Sequence, residues 1–95
     1  MKVFRWSHEK NERLKRARHI SFEEIVVSIA SGGLLDILQH SNPRKYPNQR
    51  IFVVRIGDYV YLVPFVETAE QVFLKTIIPS RRATKNYLRG DSTDG

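Results

Sequence analysis

The chain has 95 residues, 41 % of them hydrophobic, which suits one domain around one core and is too short for two. It contains no cysteine, which excludes disulfide frameworks, thiol nucleophiles and Cys-ligated zinc and fits a reducing compartment. Sixteen Lys and Arg against ten Asp and Glu give +6, with the excess gathered at two ends: seven basic and two acidic in residues 1–18, four basic and none acidic in residues 81–89. Such a balance points to an anionic partner, either nucleic acid or an acidic protein.

No stretch approaches the roughly 18–20 apolar residues that span a bilayer, and the basic N-terminus has no signal-peptide core. A soluble cytoplasmic protein without a membrane partner is expected. Residues 2–6 read as an opening strand. Ser7 is placed to cap a helix over residues 9–18, with Lys10, Leu14 and Ala17 at i, i+4 and i+7 on its inner stripe. Ser21-Phe22-Glu23-Glu24 is a capping box with Ile20 and Ile25 as its hydrophobic staple, so a second helix is predicted over residues 22–31. Phe22, Ile25, Val26 and Ile29 form its buried stripe, and Gly32-Gly33 supply the left-handed residue that ends it.

From there the period falls towards two. Residues 34–39 are a strand candidate, and residues 40–49 a polar loop with Pro43 and Pro47. Residues 50–56 and 59–67 are rich in β-branched and aromatic side chains, and Gly57-Asp58 between them has the Gly-first form of a type II′ hairpin. A turn at residues 68–71 and a strand at 72–78 follow. Pro64 lacks the N–H of a central ladder position, which implies an edge, a bulge or an interruption there. A short basic helix starts at Arg81 with Ser80 as its cap, and the polar tail, residues 90–95, is expected to be disordered. The predicted fold class is α+β: residues 1–89 form one domain, with two N-terminal helices packed on an antiparallel sheet and a short basic C-terminal helix.

The closing segment IIPSRRATKNYL breaks a local rule, because Arg81 and Arg82 occupy a helix start where the dipole prefers Asp or Glu. At 100° per residue Arg81, Lys85, Arg89 and Arg82 fall at about 0°, 40°, 80° and 100°, all on one face. A phosphate or carboxylate received at that end would compensate for the two arginines. The plain alternative is a solvated basic helix without a role. Leu88, at the edge of the face, suits a docked partner better than water. Arg50 and Arg55 point to opposite sheet faces, so at most one can join such a site. Lys75 shares a face with Phe73 and Ile77, where a lysine can lie along the sheet or simply snorkel.

His8 with Glu12 and His19 with Glu23 have i, i+4 spacing but lack a third metal ligand, and no Ser-His-Asp arrangement or glycine-rich phosphate loop is present. Chemistry would therefore run on Arg, Lys, His and Tyr. RNA cleavage is open to such a set without metal or cofactor, since the 2′-hydroxyl is an internal nucleophile. The protein must then orient it, move two protons and stabilise the developing phosphorane charge.

The blocks W-S-H-E-K-N at residues 6–11, R-H-I-S-F-E-E at 18–24, Q-R-I-F at 49–52 and I-I-P-S-R-R-A-T at 77–84 resemble, in order, those of the BrnT-type toxins. These are small ribonucleases of bacterial type II toxin–antitoxin modules, with a fold similar to the RelE toxins. The resemblance implies a cytoplasmic RNA-cleaving toxin neutralised by a cognate antitoxin, often a ribbon-helix-helix DNA-binding protein through which the complex reaches operator DNA. By motif match it carries over Lys10, Arg50, Arg81 and Arg82 as functional positions, with His19, Lys75 and Tyr87 as weaker proton-transfer candidates. RNA is expected on Arg81, Arg82, Lys85 and Arg89. Ile20 stands where the family usually has glycine, and Tyr87 where it often has Glu. Two other readings remain: a non-catalytic nucleic-acid-binding or regulatory module, and a RelE-like toxin acting on DNA gyrase.

Overall fold

The computed structural model describes residues 2–89; Met1 and the tail, residues 90–95, for which disorder was expected, lie outside the described residues. The chain runs β1 (Val3–Trp6), α1 (His8–Arg18), α2 (Phe22–Ala30), β2 (Leu34–Gln39), β3 (Gln49–Ile56), β4 (Tyr59–Glu67), β5 (Gln71–Leu74), β6 (Ile78–Pro79) and α3 (Arg81–Thr84), which continues as a π-helical turn, Lys85–Arg89. The strands form one sheet in the order β1-β5-β4-β3-β2, with β6 beside β4. The architecture is the α+β class expected from the sequence. The meander β2–β5 is antiparallel, while β1 lies parallel to β5. Only strands joined by tight turns must run antiparallel, and β1 leads into two helices, so its direction is free.

Local sequence accounts for most boundaries. Ser7 caps α1 by accepting from the Lys10 N–H, and Ser21 caps α2 by accepting from the Glu24 N–H while its hydroxyl donates to the Glu24 carboxylate. Ile20 and Ile25, the two ends of the staple, are both buried. Gly32 takes φ +94° just past α2, and Gly57 takes φ +63° in the β3–β4 turn with Asp58 on the ordinary side, as a type II′ turn requires.

One sheet face, packed under α1 and α2, holds the main core, in which Leu14, Phe22 and Ile25 meet Phe52, Val63, Phe65 and Leu74. Phe52 and Phe65 stack with centroids 3.8 Å apart. The other face carries a small second core of Val53, Val60 and Ala83, with Leu35, Leu62 and Leu88 against it. Leu88 is thus used inside the domain rather than offered to a partner.

Three expectations need correction. The inner face of α1 is Asn11 and Leu14, whereas Ala17 is exposed. Asn11, 1 % exposed, accepts from the Phe22 N–H and donates to the Glu23 carboxylate, so an amide ties α1 to the first turn of α2. The strand expected over residues 72–78 is split after Leu74, because Leu74 and Ile77 both enter the main core and a continuous strand would send residues three apart to opposite faces. Pro64 marks the same break. It sits within β4 opposite Ile51, with its carbonyl accepting from the Lys75 N–H. Its missing N–H points to that side too, where β5 has ended and β6 has not begun. Finally, the closing helix is α-helical only for Arg81–Thr84, so its summed dipole is small and the penalty for Arg81 and Arg82 is smaller than the sequence suggested.

Candidate functional site

The segment Ser80–Thr84 is built so that every other purpose of the motif is met by side chains other than the arginines. Ser80 donates its N–H to the Val60 carbonyl, and its hydroxyl accepts from the Ala83 N–H at 3.0 Å. Ala83 is buried against Val53 and Val60. Thr84, 2 % exposed, accepts from the Val60 N–H at 2.9 Å and donates to the Ser80 carbonyl at 2.8 Å. Ser, Ala and Thr thus fasten the turn to β4, and Arg81 and Arg82 are left facing out.

Arg81, Arg82 and Lys85, all exposed, line one shallow depression with Asn86. None of the three cations makes a salt bridge among the described residues. Three cations without a carboxylate, on a rigidly docked turn, form a surface that attracts and orients an anion. Arg89 does not line this depression, because the wider π-helical turn from Lys85 onward changes the angular step assumed for it.

Tyr87 lies on that turn, and its hydroxyl donates to Asp36 Oδ2 at 2.7 Å. The bond to a carboxylate raises the phenol above its ordinary value of 10.0, with burial adding to the effect, so Tyr87 is protonated and engaged at neutral pH. It latches the π-helical turn to β2. A bulge between Leu34 and Asp36 makes this possible by turning Asp36 to the face that α3 covers, where it pairs with Val53.

Arg50 stands elsewhere. It pairs with Phe65 across β3 and β4, lies over the Phe65 ring at 5.4 Å and forms a salt bridge with Glu67, which also receives Lys2. The Lys2 and Arg50 hydrogen bonds hold the Glu67 carboxyl below its ordinary value of 4.5. Alternation puts Arg50 on the face of Phe52, the main-core face, whereas Ala83 and the turn that carries Arg81 and Arg82 pack on the opposite one. Along β4, Phe65 and Val60 are about 17 Å apart at 3.3 Å per residue. Arg50 and the Arg81–Arg82 pair therefore do not share one site.

The remaining candidates are also dispersed. Lys10 is half-buried in the first turn of α1. Lys75 is exposed opposite Pro64, and Ile77, expected on its face, turns into the main core instead. His19 is exposed and ends α1 in a left-handed conformation, φ 56°. Its neighbour Arg18 donates to the Ile77 carbonyl at 2.7 Å, which ties the end of α1 to the link leading into Ser80. Sequence reasoning did not single out Arg18, Asn11 or Thr84. Only Thr84 carried a local signal, as a hydroxyl one turn after the cap. Among the described residues no group of three or more His, Asp or Glu gathers as a metal site, and no helix is long and apolar enough to cross a membrane. The chain matches no family profile, no curated protein and no solved structure.

Proposed function

We propose that this chain is an RNA-cleaving toxin of the bacterial cytoplasm, held inactive by a cognate antitoxin of the ribbon-helix-helix type. The observation that carries the reading is the division of labour in Ser80–Thr84: three side chains dock the turn, and two arginines, joined by Lys85, remain exposed without a counter-charge. The four sequence blocks that resemble BrnT-type toxins support it, the last of them being this same turn.

In this reading Arg81 and Arg82 grip the scissile phosphate with charge-assisted hydrogen bonds, and Lys85 holds a neighbouring one. The 2′-oxygen attacks phosphorus as its proton is removed. The 5′-oxygen leaves with a proton, and a 2′,3′-cyclic phosphate remains on the upstream fragment. The guanidinium groups stabilise the negative charge that builds on the non-bridging oxygens. Of the proton-transfer candidates, Tyr87 is engaged by Asp36, which leaves His19 and Lys75, neither of which lines the depression.

The test is incubation of the purified protein with single-stranded RNA in EDTA, with and without ribosomes, beside expression in growing bacteria. Fragments ending in 2′,3′-cyclic phosphate and growth arrest relieved by the antitoxin are expected. One observation favours a second reading, a non-catalytic RNA- or DNA-binding module: the lining of the Arg81–Lys85 depression contains no His, Tyr or carboxylate. Tight RNA binding without cleavage under either condition would select that reading.

A further inference from the structure

The sheet face under α3 is only half covered. Beyond Leu62 it presents Leu38, Ile51, Pro64, Val66, Phe73 and Val3, and none of the six belongs to either buried core. Their common face follows from the register: Leu38 pairs with Ile51, Ile51 with Pro64, Val66 with Phe73, and Val3 with Gln71 beside it. An antiparallel sheet can leave one face to solvent, but its outward positions are then polar. Here the outward residues of β3, β4 and β5 are mainly apolar, and Leu38 and Val3 are openly exposed.

Asp36, at the edge of the part that α3 covers, is held by Tyr87, and the charges on the uncovered half have one sign. Arg5 pairs with Phe73 and so lies on it, and Lys75 stands opposite Pro64; both are exposed and neither has a salt bridge among the described residues. The other polar positions, Gln49 and Gln71, are uncharged, and no carboxylate interrupts the patch.

We infer that this half-face docks an amphipathic helix of a partner protein, apolar on one side and bearing carboxylates along its flanks. A helix suits it because every covered part of this sheet is covered by a helix, and five strands about 4.8 Å apart offer a span of about 19 Å, the length of about 13 helical residues. A second copy of the chain would set Arg5 and Lys75 against their own images in a protein of net charge +6. The segment at residues 90–95, Gly-Asp-Ser-Thr-Asp-Gly, has no apolar side chain with which to bury the patch. The inference rests on this surface and not on RNA cleavage, so either can fail without the other.

The experiment uses a synthetic helical peptide of about 16 residues with Leu at i, i+3, i+4 and i+7 spacing and Glu at its flanks, and a twin with Lys for Glu. Fluorescence anisotropy is measured with the full chain, with Ile51→Thr/Val66→Thr/Phe73→Thr, and with Arg5→Glu/Lys75→Glu. The Glu peptide should bind the parent at least about tenfold more tightly than its twin, a ratio of one decade. The triple variant should lose binding, and the charge-reversed variant, altered only at exposed residues, should prefer the Lys peptide. Absence of binding, equal binding of the two peptides, or an unchanged preference after charge reversal would overturn the inference. So would a dimer of the parent in sedimentation that the triple variant abolishes, since a second copy would then be the occupant.

Discussion

The Thr84 hydroxyl stands 2.9 Å from the Val60 amide and satisfies a donor in a residue that is wholly buried. The same hydroxyl donates to Ser80, so one oxygen holds together the strand, the cap and the turn that presents Arg81 and Arg82. Replacing it with a methyl group of similar size leaves the Val60 N–H buried and unpaired, at a cost of about 1–3 kcal/mol. Thr84→Val should therefore lower Tm by roughly 4–8 °C for each kcal/mol lost in a domain of this size. Thr84→Ser, which keeps the oxygen, should lose less. Calorimetry of the two variants checks this, and equal melting of Thr84→Val and the parent would remove Thr84 from the account.

His19 is the non-glycine residue with positive φ among the described residues, and L residues pay about 1–2 kcal/mol for that conformation. The fold by itself would favour glycine there. His19→Gly should raise Tm, while the cleavage rate falls. Higher stability with an unaltered rate would make His19 a helix cap only.

What could be read from the sequence was what a few neighbouring residues decide. Ser21 and Glu24 set the start of α2, Gly57 set the β3–β4 turn, and the 22–29 stripe named the helix face that enters the core. The residues that misled were decided by distant ones. The break after Leu74 depends on Pro64 and on the burial of Ile77. Asn11 displaces Ala17 from the inner face because it meets Phe22 and Glu23 of the next helix. The split between Arg50 and Arg81–Arg82 follows from register and from the turn's docking on Val60, and no local motif encodes either. In the block Ser-Arg-Arg-Ala-Thr the pattern itself was legible, but its meaning required knowing which of its side chains are buried.

Glu67 supplies a pH test away from that turn. Its carboxyl is held below the ordinary value of 4.5 by Lys2 and Arg50, so the folded state binds this proton less readily than the unfolded state does. The stabilisation is therefore complete above the ordinary carboxylate range and is lost as pH falls through the lowered folded value. Glu67→Gln removes it at every pH. The two proteins should differ in Tm at pH 7 and converge on acidification below pH about 4. Both partners are partly exposed, so the difference should be small, about 1 kcal/mol or less, and should shrink with added salt. A gap that persists at low pH would assign it to packing.

The central claim is that Arg81 and Arg82 serve the ligand and not the fold. The decisive measurement is the RNA-cleavage rate of Arg81→Gln/Arg82→Gln beside its thermal melting, with Arg13→Gln/Arg16→Gln, exposed cations of α1, as the control for general charge. Exposed substitutions of this kind change stability by about 0.5 kcal/mol or less, whereas loss of a charged donor from a transition-state site costs about 2.7–4 kcal/mol. The account predicts an unchanged Tm with a rate reduced about a hundredfold or more for the first variant, and a nearly parental rate for the control. Equal loss of activity in the two variants, or unfolding of the first, would contradict it.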